Sequence, residues 1–386
     1  MKSLARLVLV GFFATAPILA IGCAEERETG TKPPPPPPEN AYVGAATCAT
    51  CHAGIATTFG ASLHPGMVTV VNGQRPSAPP NLPDNPPAGK AWADITYVLG
   101  GWGWKARFVM PDMQVVVGEN AQYDIPTAQF EQGAWAAYHV GETTPYNYAC
   151  FRCHTTGPDE ATNTFVQPGV QCEACHGMGK LHAQNPPGTI VRDASAACGR
   201  CHSRDPNGTR IVAEDGFLAN HQQYAELKAG PHHELTCTAC HDPHKGIRGG
   251  QVGGIVQACT SAGCHEGQEA SGHNYEVDGH PITCIDCHMS RATRSARSIN
   301  KYQGDVRTHI FKIHQDAEGA EGQADMFETV GDSTWVKPDY GVTLDYACYS
   351  CHRDEEGVGG DRMVRSLAQL YAKAPVIHPR KNLAGK

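Results

Sequence analysis

The chain has 386 residues, of which 18% are charged, with a formal net charge of −8 and 17 cysteines. The negative balance excludes electrostatic binding of nucleic acid and argues against anionic lipid as a partner. Glycine (42) and proline (28) are abundant, while aromatic residues make up only 7%, which is not the composition of a large ordinary core.

Residues 1–22 have the pattern of an export signal. Lys2 and Arg6 precede an apolar stretch from Leu7 to Ile21 that is short for a membrane span. Cys23 follows directly, in a segment that resembles a bacterial lipobox, so we expect Cys23 to be lipidated; ordinary signal cleavage nearby is the alternative. The predicted product is an exported outer-membrane lipoprotein, at the cell surface, extracellular or on the periplasmic face, that meets the membrane only through its lipid.

Residues 23–40 are predicted to be the lipid-anchor cysteine and a proline-rich linker. Six consecutive prolines, Pro33 to Pro38, favour an extended polyproline II spacer. Such a spacer would hold a globular body away from a membrane surface; a disordered leader without a spacing role is the alternative.

A short motif then recurs along the chain: Cys-x-x-Cys-His occurs seven times and Cys-x-x-x-x-Cys-His once. The motifs, called the first to the eighth below, are Cys48, Cys51 and His52; Cys150, Cys153 and His154; Cys172, Cys175 and His176; Cys198, Cys201 and His202; Cys237, Cys240 and His241; Cys259, Cys264 and His265; Cys284, Cys287 and His288; and Cys348, Cys351 and His352. This pattern is typical of c-type haem attachment, in which the two thiols bind the porphyrin and the histidine becomes the proximal iron ligand. The sequence therefore predicts eight haems c.

Zinc sites, redox-active dithiols and disulfide scaffolds are the alternatives for paired cysteines. None of them requires a histidine directly after the second cysteine eight times out of eight. In the stretched sixth motif, the small residues Ala262 and Gly263 allow the backbone to bulge so that both sulfurs reach the ring.

Between the first and second motifs lies the strongest strand signal. Residues 94–100 and 102–109 are rich in β-branched and aromatic residues, and Pro111-Asp112 marks a turn before Gln114 and three valines. This pattern predicts a β-hairpin with an aromatic face that packs on a porphyrin.

The predicted fold class is a multihaem cytochrome c, mostly coil with short α-helices and a small β-hairpin, organised around a closely packed haem chain. The first cysteines of motifs two to four and five to seven are similarly spaced, which indicates either a duplicated three-haem module or coincidence. We expect one lobe over residues 41–230, with haems 1–4 and the hairpin, and a second over residues 231–386, with haems 5–8.

Twelve histidines lie outside the motifs, and imidazole is a good second axial ligand for haem iron. Methionine would compete, but none of the eight methionines recurs at a fixed offset from a motif. A histidine near a motif is expected to serve a neighbouring haem, because the proximal histidine holds the opposite face of its own. The distal candidates are His64, His182, His221, His232, His233, His244, His280 and His309.

Three segments carry a family resemblance. Residues 42–52 with His64, and residues 169–182, resemble the tetrahaem cytochromes c of ammonia oxidisers and their relatives. Residues 86–123 are similar to outer-membrane and extracellular multihaem cytochromes of metal-reducing bacteria. This resemblance implies electron transfer, with redox proteins or extracellular metal acceptors as partners and self-association into filaments as a further possibility.

Two functions follow from these patterns. The first is an electron carrier without catalytic residues, because irons with two protein ligands leave no position for a substrate. The alternative is an octahaem oxidoreductase of the hydroxylamine, nitrite or tetrathionate type with one open haem, for which the sixth motif is the expected place. The Cys-x-x-Cys-Lys variant of such enzymes does not occur in the chain.

Overall fold

The computed structural model describes residues 39–186, 195–205, 210–248, 253–268, 273, 276–277, 279–316 and 321–378. Residues Asn40–Lys386 belong to one compact unit. The expected signal segment, Cys23 and the proline run lie outside the described residues. Within the part of the chain that is described, no helix is both long and apolar enough to cross a membrane.

The helices are short, and many of them coincide with a motif. The longest described helix has eight residues, as expected for a chain rich in glycine and proline. The helices are α1 (Ala45–Ala49), α2 (Ala53–Gly60), α3 (Tyr148–His154), α4 (Cys172–His176), α5 (Lys180–Gln184), α6 (Ser195–Gly199), α7 (Gln223–Ala229), α8 (Cys284–His288), α9 (Gln323–Met326), α10 (Leu344–Cys348) and α11 (Leu367–Lys373), with 3₁₀ turns at Pro65–Met67, Trp92–Asp94, Cys237–Ala239 and Ala374–Val376.

The predicted hairpin is the centre of a larger antiparallel sheet. Its five strands, in spatial order, are β1 (Val68–Val70), β2 (Tyr97–Gly100), β3 (Lys105–Val109), β4 (Gly118–Asp124) and β5 (Ala134–Tyr138). Gly100 and Gly101, both at positive φ, make the turn between β2 and β3. Val98, Ala106 and Phe108 are buried beneath the sheet, where Phe108 packs against Trp135. Trp135 is therefore a core residue.

A second sheet of six strands was not expected from the sequence. In spatial order the strands are β13 (Gln303–Val306), β12 (Thr293–Asn300), β9 (Phe217–Ala219), β8 (Val212–Glu214), β15 (Ser333–Val336) and β14 (Phe327–Val330), and two further pairs are β6 (Thr155–Asp159) with β7 (Thr164–Pro168) and β10 (Glu276–Val277) with β11 (His280–Pro281). Leu218, Ile310, Met326 and Tyr346 form the core beside the large sheet. Strands β8 and β9, before residue 230, pair with β15 and β12, after it, so this sheet contains strands from both sides of the expected boundary. The division into a lobe with haems 1–4 and a lobe with haems 5–8 stays a prediction.

Candidate haem-binding sites

Seven of the eight motifs line one continuous cavity of about 3220 Å³. The eighth motif does not contribute to its wall. Trp102 and Trp104, on the turn between β2 and β3, also line this cavity and donate hydrogen bonds to the carbonyls of Gly66 and Asp305. The hairpin thus borders the cavity, and the packing of its aromatic face on a porphyrin stays a prediction.

Buried carboxylates hold the elements that carry the motifs. Glu173, on α4 within the third motif, accepts hydrogen bonds from the backbone amides of Val43 (3.0 Å), Gly44 (2.8 Å) and Gly179 (2.8 Å). It is 4% exposed. This contact joins the segment before the first motif to the third motif, although they are far apart in sequence.

Cysteines of different motifs lie against one another. Four pairs of thiols from different motifs lie close enough to interact: Cys48–Cys172, Cys153–Cys201, Cys198–Cys237 and Cys259–Cys284. These pairs place the first motif beside the third, the second beside the fourth, the fourth beside the fifth and the sixth beside the seventh. Electrostatic interactions between further thiols link the third to the fourth, the fifth to the sixth and the seventh to the eighth, through Cys175–Cys198, Cys240–Cys264 and Cys287–Cys351. The neighbour order is therefore 1–3–4–5–6–7–8, with the second motif as a branch beside the fourth.

Within the described residues, seven of the eight motif histidines have a second histidine ring opposite them. The distances between ring centroids are 6.3 Å for His52–His182, 6.0 Å for His176–His244, 6.3 Å for His202–His64, 6.3 Å for His241–His309, 5.7 Å for His265–His232, 5.8 Å for His288–His378 and 6.4 Å for His352–His273. In every pair the second histidine comes from a segment next to a different motif. His182, for example, follows the third motif and faces the first, while His64 follows the first and faces the fourth.

This spacing fits an axially ligated haem. Metal–imidazole bonds are about 2 Å long, so two axial nitrogens lie about 4 Å apart and the ring centres about 6 Å apart. The Nε2 atoms of His265 and His232, and of His288 and His378, are 3.5 Å apart, slightly closer than that. Together with the cysteines along the cavity, these pairs are what covalent haem with two imidazole ligands requires.

His309 shows how the fold aims such a histidine. Glu226, fully buried on α7, accepts hydrogen bonds from the backbone amide of His309 (2.6 Å) and the hydroxyl of Thr308 (3.1 Å). Burial raises the pKa of Glu226 to about 7, and its hydrogen bonds with His309 and Thr308 oppose that rise. The loop after the seventh motif is thereby held with the imidazole toward His241.

Other spare histidines have different partners. His139 contacts Glu142 (2.5 Å), His233 contacts Glu234 (3.0 Å), and His314 stacks on Tyr340 with ring centroids 4.1 Å apart. Among the predicted distal candidates, His233 is thus not placed opposite a motif histidine. The side chain of His280 lies outside the described residues.

His154 of the second motif is the exception. Among the described residues, no histidine ring lies opposite it at the separation of the other seven pairs. His221, a predicted distal candidate, lies within electrostatic range of both His154 and His202, and burial lowers its pKa to about 3. His265 of the sixth motif faces His232, so within the described residues the motif histidine without a facing imidazole is His154 of the second motif.

Cationic side chains from the first sheet occupy the region of His154. Burial, together with the charge of Arg107 on β3, lowers the pKa of His154 to about 4. Lys105, two residues earlier on the same strand face, lies near His221, and burial, together with Arg107, lowers its pKa to about 7. Arg107 packs 3.7 Å from the ring centroid of Tyr138 on β5. These residues line the haem cavity.

Sequence reasoning missed two of the facing histidines and this cationic wall. His378 lies 90 residues from His288, and His273 belongs to another stretch than His352. A usable signal existed for His378, because Ile377-His378-Pro379 repeats the pattern of Leu63-His64-Pro65. For Lys105 and Arg107 no sequence signal was available, since they alternate along a strand like ordinary surface residues.

These features define the fold of a multihaem c-type cytochrome. Residues 125–177, which include the second and third motifs, match the family model described as cytochrome c554 and c-prime. No curated protein matches the chain.

Solved structures are similar at low identity. The outer cell wall cytochrome OcwA is 18% identical with a TM-score of 0.50 and 86% of each chain covered. The octaheme sulfite reductase MccA of Wolinella succinogenes is 16% identical with a TM-score of 0.53, over 89% of this chain and 69% of its own. An undecaheme cytochrome from the S-layer of Carboxydothermus ferrireducens is 21% identical with a TM-score of 0.42, over 68% of this chain, which spans about half (52%) of that protein.

Proposed function

We propose that the chain is an exported electron-transfer protein that carries eight covalently bound haems c. The observation that carries this proposal is the set of seven histidine pairs with centroids 5.7–6.4 Å apart. Haem iron held by two imidazoles supplies one-electron transfer and offers no position for a substrate. The chain's own residues fix the haems through the cysteine pairs and orient the second imidazoles.

The neighbour order of the motifs supports conduction across the protein. Thiols of successive motifs in the order 1–3–4–5–6–7–8 are in contact or electrostatic range, so the attached rings would be close neighbours throughout. The two ends, at the first and eighth motifs, are where we expect redox partner proteins or extracellular metal acceptors to dock. Anchoring through Cys23 and self-association into filaments belong to the same proposal and rest on the sequence alone.

Intact mass spectrometry tests the haem count. The exported protein is expected at the apoprotein mass plus eight haem masses. A Cys259→Ala, Cys264→Ala double variant should lose one haem mass, and if it keeps the wild-type number of haems, the stretched motif is not used. Cys23→Ala should change membrane partition without changing the haem count.

A second candidate function is reduction of a small inorganic anion at the second motif. The observation that favours it is the cationic wall of Lys105 and Arg107 near His154, where the other seven motifs have an imidazole. Two positive side chains near the cavity would hold negative charge beside the iron. Removing one oxygen from an oxyanion takes two electrons, from an external donor protein, and two protons, and releases one water.

Electron paramagnetic resonance separates the two candidates. If the second motif is open, the oxidised protein should show seven low-spin irons and one high-spin iron, and His221→Ala should leave this census unchanged. If the wild type instead has eight low-spin irons and one turns high-spin in His221→Ala, His221 is the missing ligand. Electron transfer would then be the only one of the two candidate functions that remains.

A further inference from the structure

A second, polar cavity of about 380 Å³ adjoins the haem cavity beside the unpaired site. The two cavities share a wall that includes Lys105, Arg107, Tyr138 and Arg204. Arg294 and Glu214 belong to the polar cavity alone. The shared residues place this cavity beside the part of the haem cavity that lies near His154.

The charge of the polar cavity is strongly one-sided. Four cations line it, Lys105, Arg107, Arg204 and Arg294, against one carboxylate, Glu214. The whole chain has a net charge of −8, so this concentration of positive charge opposes the overall field. A cleft lined by one sign of charge focuses the local field and concentrates ions of the opposite sign.

The neutralisation of these cations changes with depth. The outer arginines have carboxylate partners: Arg204 contacts Glu214 at 3.0 Å, and Arg294 contacts Asp215 at 2.6 Å. Both carboxylates are mostly exposed, with side-chain exposures of 55% and 79%, so solvent screens these pairs.

The inner cations are not neutralised in this way. Within the described residues, neither Lys105 nor Arg107 has a carboxylate within 4.0 Å. Arg107 donates through Nε to the amide oxygen of Gln122 (3.0 Å), and Lys105 donates to the carbonyl of Ser295, so both partners are neutral. Asp124 and Asp305 act on Lys105, and Asp124 on Arg107, only at longer range. An anion that enters therefore meets cations without a direct carboxylate partner as it moves inward.

We propose that this polar cavity is the inlet through which small inorganic anions reach the second-motif site. The inference rests on the open site proposed above as the second candidate function. The ligand class is a compact monovalent or divalent anion, because a space of about 380 Å³ lined by guanidinium groups is polar and narrow. Cations are repelled, and neutral molecules gain nothing from the charge.

The test compares an anionic with a neutral ligand of the same iron. Stopped-flow mixing with sodium azide measures anion association with the oxidised protein, and mixing with carbon monoxide measures neutral association with the reduced protein. Arg294→Glu is expected to slow azide association about tenfold or more at low ionic strength and to leave carbon monoxide association unchanged. At 1 M salt, where the screening length is about 3 Å, the azide effect should largely disappear.

Arg210→Glu is the matched control. Arg210 is also a partly exposed arginine, paired with Glu328 (3.5 Å) and stacked on Trp335, but it does not line the polar cavity. It should change neither ligand's rate. If Arg294→Glu fails to fold, Arg294→Gln serves in its place, with a smaller expected effect.

The outcomes separate the inlet from the open site. Equal azide rates in wild type and Arg294→Glu, with both ligands binding, overturn the inlet and leave the open site in place. Equal slowing of azide and carbon monoxide points to a steric change and also overturns it. A wild-type protein that binds neither ligand removes the open site and the inlet together.

Discussion

The second and third motifs have the same sequence pattern, but different residues face their histidines. Both are Cys-x-x-Cys-His segments in short helices, α3 and α4, on the wall of one cavity. His176 of the third motif faces His244 with rings 6.0 Å apart and only 2° from parallel. His154 of the second motif lies instead near Arg107 and His221. The motif fixes one face of a haem, and the other face is decided by whichever distant segment lies across the cavity.

The segment across the cavity also differs in kind. His244 lies in an irregular loop after the fifth motif, whereas Arg107 lies on strand β3 in the middle of a five-stranded sheet. In a strand, residues two apart share a face, so Lys105 and Arg107 lie on one side while Ala106 and Phe108 are buried on the other. The sheet thus presents two cationic side chains near His154, whereas a loop presents an imidazole to His176.

The largest expected effect comes from making a paired site resemble the unpaired one. His309→Ala should turn one low-spin iron high-spin and raise its potential, because His241 loses the imidazole opposite it. Electron paramagnetic resonance and potentiometric titration measure both, and mass spectrometry should show an unchanged haem count. His314→Ala is the control, because His314 stacks on Tyr340. An unchanged spin census in His309→Ala would assign the role to another histidine.

A smaller effect is expected from the charge at the unpaired site. The pKa of Lys105, lowered to about 7, means that its positive charge is present below about pH 7 and is lost above it. Azide affinity, measured by optical titration, should therefore fall as the pH rises through this value. The facing groups are Arg107 and Arg204, which stay charged, and Asp124 and Asp305, which favour the protonated lysine.

Two substitutions separate Lys105 from its surroundings. Lys105→Arg should keep the low-pH affinity and remove the pH dependence, because arginine stays protonated throughout. Lys105→Met should lower the affinity below pH 7 by roughly tenfold, to a level that no longer varies with pH. If the wild-type slope persists in both variants, another group causes it.

The smallest effect tests the buried contact that joins the segment before the first motif to the third motif. Glu173→Gln should lower the free energy of unfolding by about 1–3 kcal/mol, because it removes the buried charge and one of the two accepting oxygens. Oε1 accepts from Val43 and Gly179 and Oε2 from Gly44, and an amide nitrogen cannot accept in place of either oxygen. Chemical denaturation followed in the haem absorbance measures this. Glu142→Gln, at an exposed pair with His139, should change stability by less than about 0.5 kcal/mol. If both variants lose a similar free energy of unfolding, the buried Glu173 contact stabilises the protein no more than the exposed His139–Glu142 pair does.

Local patterns in the sequence were enough to predict that the helices are short, that β2 and β3 form a hairpin, and where the motifs lie. Strands β4 and β5 were missed because Gly118–Asp124 and Ala134–Tyr138 contain few β-branched residues. The six-stranded sheet joins short strands that are far apart in the chain, so no local sequence pattern predicts it. The facing histidines were predictable as a class, but His273 and His378 show that each partner depends on tertiary contacts.

The lateral position of the second motif, in contact with the fourth through Cys153 and Cys201, has a consequence for timing. Seven other motifs lie in the order 1–3–4–5–6–7–8, and on the proposal each holds one reducible haem, so these seven centres would form a reservoir of electrons beside the second motif. A bound anion could then be reduced by successive electrons from this reservoir without waiting for repeated encounters with a donor. Partly reduced products would have little time to escape.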